Sequence, residues 1–207
     1  MVEVSAPTKQ PEVFSRALAS LTDLRPRPEI ELRSMRPPQR LAPWTAAWSA
    51  EVASQPGPSG PADDDTDVPV TGRLVLLHDP EGQDAWNGTL RVVTFVRAEL
   101  DPEHANDPLL PEVAWSWLTG ALEESASSWT ALGGTVTQTS SVRFGDISGP
   151  MHATDLELRA SWTPIGTGAD AEDVDLATHG DAFTAVLATA AGLPPVGVAA
   201  LTPRRPG

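Results

Sequence analysis

The sequence predicts an α+β two-layer sandwich: a mainly antiparallel sheet of about five strands with helices on one face, in the order α-β-β-β-α-β-β-α. Three observations lead there. Several runs alternate apolar and polar residues with a period of two, which marks strands with one covered face. Three other runs repeat apolar residues at spacings of three and four, which marks amphipathic helices. The runs do not follow the regular strand, helix, strand rhythm of parallel crossovers, so neighbouring strands are expected to pair antiparallel.

Each element follows from its residues. Glu12 to Leu24 places Val13, Ala17, Leu18 and Leu21 at helical spacing, with Pro11 suited to a helix start and Pro26 beyond its end. From Leu41 to Val52 the period becomes two, with Trp44, Ala46, Trp48, Ala50 and Val52 on one side. Gly72 to His78 and Thr89 to Leu100 read as a hairpin joined by the long loop "DPEGQDAWNG", with turn chemistry at Asp79-Pro80 and Asn87-Gly88. The second of these strands sets Leu90, Val92, Thr94, Val96 and Ala98 against Arg91, Val93, Phe95, Arg97 and Glu99.

Leu109 to Gly134 reads as one long helix, because Ala114, Trp117, Leu118, Ala121, Leu122, Ser125, Trp129 and Leu132 recur at threes and fours and Gly133-Gly134 suits a stop. Trp115 and Trp117 then flank its apolar stripe, each roughly 80° from the centre at 100° per residue. An indole there either caps the core or offers an aromatic surface to a partner, and Trp115 is the candidate for the second role. "TVTQTSSVRF" and "DLELRASWT" supply two more strands. "DVDLATHGDAFTAVLATAAGLPP" closes the chain as a helix with Leu176, Phe183, Val186, Leu187 and Ala190 on its face.

These runs fit a single domain over residues 9–198. Ser54 to Val70 holds four prolines, two glycines and four aspartates without an apolar period, so a disordered acidic insert is expected there, and residues 1–8 and 199–207 read as flexible ends. No basic, apolar leader opens the sequence and no apolar run approaches ~18 residues, so a cytoplasmic protein without a membrane span is expected. The absence of cysteine removes disulfides, thiolate nucleophiles and sulfur-ligated metals from consideration.

The net charge of −14 weighs against a polyanionic partner. Its distribution is uneven. Residues 1–40 carry seven of the fourteen basic residues against five acids, a local charge of +2. Arg33 and Arg36, in the proline-stiffened "RPRPEIELRSMRPPQR", either offer an arm to an anion or pair with the chain's own acids along the sheet edge. Arg91, Phe95 and Arg97 share one face of a strand, the nearest approach to an aromatic platform with basic flanks.

No metal site and no cofactor are expected. The four histidines lack metal-ligand spacing, the acidic insert fits no calcium loop, and neither a nucleophile elbow nor a phosphate loop occurs. The one local group with acid and base character is His78, Asp79, Glu81 and Asp84 near Trp86, which forms a site only if the four side chains converge. Two readings therefore stand. One is a non-enzymatic binding or adaptor protein for a protein partner, with self-association open and nucleic acid disfavoured. The other is a hydrolase or RNA-processing accessory enzyme centred on residues 78–88.

"RPRPEIEL", "PQRLAPW", "GRLVLLHDPEGQDAWNGTLRVV", "DPLLPEVAWSWL", "ELRASWTP" and "AAGLPP" together resemble an actinobacterial family catalogued as a domain of unknown function, number 3000. The resemblance covers most of the chain outside Ser54 to Val70 and the ends. It implies no activity, cofactor or catalytic residue. The order of elements is also similar to that of secretion-chaperone-like folds, small α+β proteins that dimerise and hold peptides.

Overall fold

A computed structural model describes residues 9–52, 70–100, 107–125, 128–146, 151–166 and 174–196. Their elements are α1 (Glu12–Thr22), β1 (Ile30–Met35), β2 (Trp44–Val52), β3 (Thr71–Gln83), β4 (Gly88–Glu99), α2 (Leu110–Glu124), β5 (Trp129–Val142), β6 (His152–Pro164) and α3 (Ala177–Ala190). The class is α+β, with an open sheet in the order β1-β2-β3-β4-β6-β5 and every neighbouring pair antiparallel. The insert expected at Ser54–Val70 lies, apart from Val70, outside the described residues, as do His104 and the ends expected at residues 1–8 and 199–207.

The sheet has six strands, one more than the sequence predicts. The added strand, β1, comes from the arginine-rich segment. It is six residues long, and only Ile30 among them is buried, so its alternation is too brief to stand out between the prolines that flank it. The segment lies along the sheet edge, pairing Ile30 with Val52 through to Met35 with Ala47.

The long helix is also shorter than its apolar spacing implies. It stops at Glu124 with Ser125 as its cap, and Trp129 already belongs to β5. Gly133 and Gly134 serve the strand instead of a helix stop. At Gly134 the reason is close approach: a Cβ there would collide with the Arg159 carbonyl oxygen and lie 2.8 Å from the Trp115 ring. The helix therefore lays an indole across the strand where Gly134 has no side chain. A bulge between Thr130 and Gly133, with Ala131 at φ 50°, shifts the register just before this point.

Helices pack against the face formed by the even-numbered residues of β2, β3, β4 and β6. Trp48, Ala50, Leu74, Leu76, Leu90, Val92, Val96, Leu158, Ala160 and Trp162 meet Phe14, Leu21, Leu118, Leu122, Phe183 and Leu187 in one buried cluster. Truncating such a residue to alanine costs ~2–5 kcal/mol, so this cluster carries the fold. α3 is buried nearly all round, from His179 to Ala188, because it lies under both α1 and α2 as well as on the sheet. Trp115 packs on the edge of the main cluster, and Trp117 joins Leu110, Ala114 and Leu156 in a second one. Both indoles are partly buried and flank the seam, as the helical wheel predicts.

Candidate functional site on the open sheet face

The opposite face, formed by the odd-numbered residues, has no helix over it among the described residues. Strand register turns it into ordered rows. Arg33, Ser49, Arg73, Phe95, Arg159 and Thr135 lie directly opposite one another across all six strands. One pleat away, Met35, Ala47, Val75, Val93, Ser161 and Gly133 form a mostly apolar row; on the other side run Glu31, Glu51, Thr71, Arg97, Glu157 and Thr137. A cationic row with one aromatic residue is thus held between an apolar row and a mixed-charge row.

Phe95 is the centre of the arrangement. The Arg159 guanidinium lies 5.2 Å from its ring centroid and that of Arg73 6.0 Å away, both within cation–π range. A shallow hollow of about 680 Å³ surrounds the ring, lined chiefly by Arg36, Arg73, Val75, Val93, Arg97 and Arg159. Four arginines face one glutamate in its lining, on a chain whose net charge is −14. Arg97 pairs with Asp155 at 2.9 Å, and Arg159 pairs with Glu157 at 2.9 Å. The Asp155 carboxylate raises the pKa of Arg97 through the hydrogen bond and its charge. Arg36 and Arg73 meet no carboxylate among the described residues.

At one end of this face Arg91 is buried at 9% exposure, with no carboxylate partner among the described residues. Its guanidinium donates to the Ala131 carbonyl (2.9 Å), Thr163 Oγ1 (3.2 Å) and Ser161 Oγ (2.8 Å). Thr163 Oγ1 in turn donates to the Trp86 carbonyl. Burial lowers the arginine's pKa, yet a guanidinium stays charged in proteins. Arg91 thus ties the β5 bulge, β6 and the β3–β4 turn together. Among the residues the sequence nominates for binding, Phe95, Arg97 and Arg36 meet at the hollow, Arg91 is structural, and Arg33 lies in the same row but bonds to Glu31 at 2.8 Å. Trp115 lies against Gly134 on the helix side of the sheet.

The sequence alone misses Arg73 and Arg159. The signal was present in the alternation of β3 and β6, but only the strand order and register bring both residues beside Phe95.

The group at residues 78–88 does not assemble. His78 points into the helix layer, stacks on Phe14 at 6.0 Å and donates its Nδ1 hydrogen to the Thr89 carbonyl at 3.0 Å. Asp79 accepts from the Glu81 backbone (3.2 Å) and from Gln83 Nε2 (3.1 Å), which shapes the turn. Glu81 and Asp84 are exposed, and no hydrogen bond joins either carboxylate to His78. The connection is also tighter than a ten-residue loop, since β3 runs to Gln83 and β4 begins at Gly88. Among the described residues no cluster of His, Asp and Glu is placed to hold a metal ion, and no helix is long and apolar enough to cross a membrane.

Residues 10–199 match the model of DUF3000, a protein family of unknown function. No curated protein matches the chain, and no solved structure does.

Proposed function

We propose that the chain, which belongs to the DUF3000 family, is a non-enzymatic binding protein whose open sheet face receives a segment of a protein partner. The observation that carries this reading is the hollow around Phe95, with four arginines and apolar Val75 and Val93 beneath them. An extended segment alternating acidic and apolar side chains complements it. Its carboxylates reach Arg36 and Arg73, which have none of their own, and its apolar residues cover Val75, Val93 and the Phe95 ring. A nucleic-acid strand fits less well. Stacking platforms use several exposed aromatic rings, whereas the described residues of this face offer one, Phe95, already flanked by guanidinium groups.

Fluorescence anisotropy with a labelled peptide alternating Glu with Leu, and in parallel a labelled oligouridine, tests the reading. The peptide is expected to bind, and reversing both Arg36→Glu and Arg73→Glu to weaken it at least ~10-fold, about 1.4 kcal/mol. Indifference of the peptide to those changes, or binding of the oligouridine alone, overturns the proposal.

A further inference from the structure

The two edges of the sheet differ in kind. β1 spans six residues, carries Glu31 and Arg33, and is followed by Pro37 and Pro38, the devices that discourage another strand from adding on. β5 spans fourteen residues, "WTALGGTVTQTSSV", with no charged residue and no proline. Its only irregularity is the bulge at its start. Beyond it, from Gly133 to Val142, the strand pairs with β6 without a break, and among the described residues no strand pairs with its outer side. In a chain with net charge −14 this neutral edge is where a second copy meets least repulsion.

We infer that β5 is a self-association edge, on which a second copy of this chain adds its own β5 antiparallel about a two-fold axis at Gln138. That register is favoured by what it places together. Thr137 meets Thr139 and Thr135 meets Ser141 across the axis, hydroxyl pairs that stabilise neighbouring strands. Val142, 46% exposed in the single chain, comes opposite Gly134 of the other copy. There it enters the open crevice lined by Pro111, Glu112, Trp115, Gly134 and Val136. The contact is isologous and closes at two copies. Even-numbered residues stay beside even-numbered ones, so both helix layers lie on one side and both Phe95 hollows on the other. The two rings lie five strand spacings apart across the sheet, roughly 24 Å, and six residues apart along it, roughly 20 Å.

The test uses the full chain, whose lack of cysteine makes single-cysteine variants clean. Residues directly opposite in an antiparallel pair have Cα atoms about 4.5–5.5 Å apart, within disulfide reach. Under mild oxidant, Gln138→Cys is expected to give a covalent dimer and Arg33→Cys, on the other edge, to stay at 21.9 kDa. Sedimentation at ~100 μM should show a wild-type dimer, and a Thr137→Lys/Thr139→Lys variant of unchanged circular dichroism should be monomeric. A monomeric wild type, a dimer untouched by the lysines, or crosslinking through Arg33→Cys overturns the inference. So does a monomer whose β5 edge takes the Glu-Leu peptide and loses it in the lysine variant, because the occupant is then an extended partner and not a second copy.

Discussion

His179 makes the stability of this protein depend on pH in a way the structure quantifies. The imidazole is 2% exposed, its ring centroid is 6.2 Å from that of Trp162, and its Nδ1 accepts the Trp162 indole hydrogen at 3.0 Å. Desolvation pushes its pKa down from 6.5 to about 4, against a smaller upward pull from Asp175. The unfolded chain therefore takes up a proton on this residue at a higher pH than the folded chain does. Stability from this group is complete above pH 6.5, falls as pH drops toward about 4, and is flat below that. At 1.36 kcal/mol per unit the whole loss is ~3 kcal/mol, and about 2 kcal/mol of it has gone by pH 5.

The perturbation that isolates this effect is His179→Asn, which keeps an acceptor for the indole and cannot titrate. Urea unfolding followed by tryptophan fluorescence between pH 7.5 and 5 avoids the isoelectric region near 4.5. The Asn variant starts less stable because it leaves a void, but the gap between it and the wild type should close by ~2 kcal/mol on going to pH 5. A gap that stays constant refutes the reasoning, since the carboxylates titrate alike in both proteins.

Further expectations come from single contacts. Gly134→Ala should destabilise the fold by ~3 kcal/mol, because the added Cβ meets the Arg159 carbonyl and the Trp115 ring; equal urea midpoints for the two proteins would contradict this. Thr94 Oγ1 is buried and finds no hydrogen-bond partner among the described residues, so the nearly isosteric Thr94→Val should raise stability by ~1 kcal/mol in the same assay. Arg91→Ala should cost ~1–3 kcal/mol, since the Ala131 carbonyl and the two hydroxyls lose their shared donor. Amide exchange should then quicken first at the β5 bulge, and uniform exchange across β5 and β6 would argue against that role.

Much of the sheet was legible because one buried face imposes a period of two. Leu90, Val92, Thr94, Val96 and Ala98 are all buried, as their alternation requires. The start of β5 carries a helical spacing for the complementary reason. As an edge strand beside few helix contacts it needs little burial on either side, so Trp129 and Leu132 carried a helical spacing that nothing contradicted locally. Phe95 and Arg97 could be nominated from one strand. Arg159 could not, because its place beside β4 depends on β6 inserting between β4 and β5, a long-range choice with no local mark, and Arg73, although on the strand of the expected hairpin, needed the register that sets it opposite Phe95.

The arginines that frame Phe95 come from strands on either side of its own. Their head groups sit at the ends of flexible stems on a surface with no helix above it among the described residues, so exchanging one leaves the buried cluster unaltered. Where that surface receives a partner as proposed, a single codon change on β3 or β6 rewrites its electrostatic preference while the chain continues to fold as before.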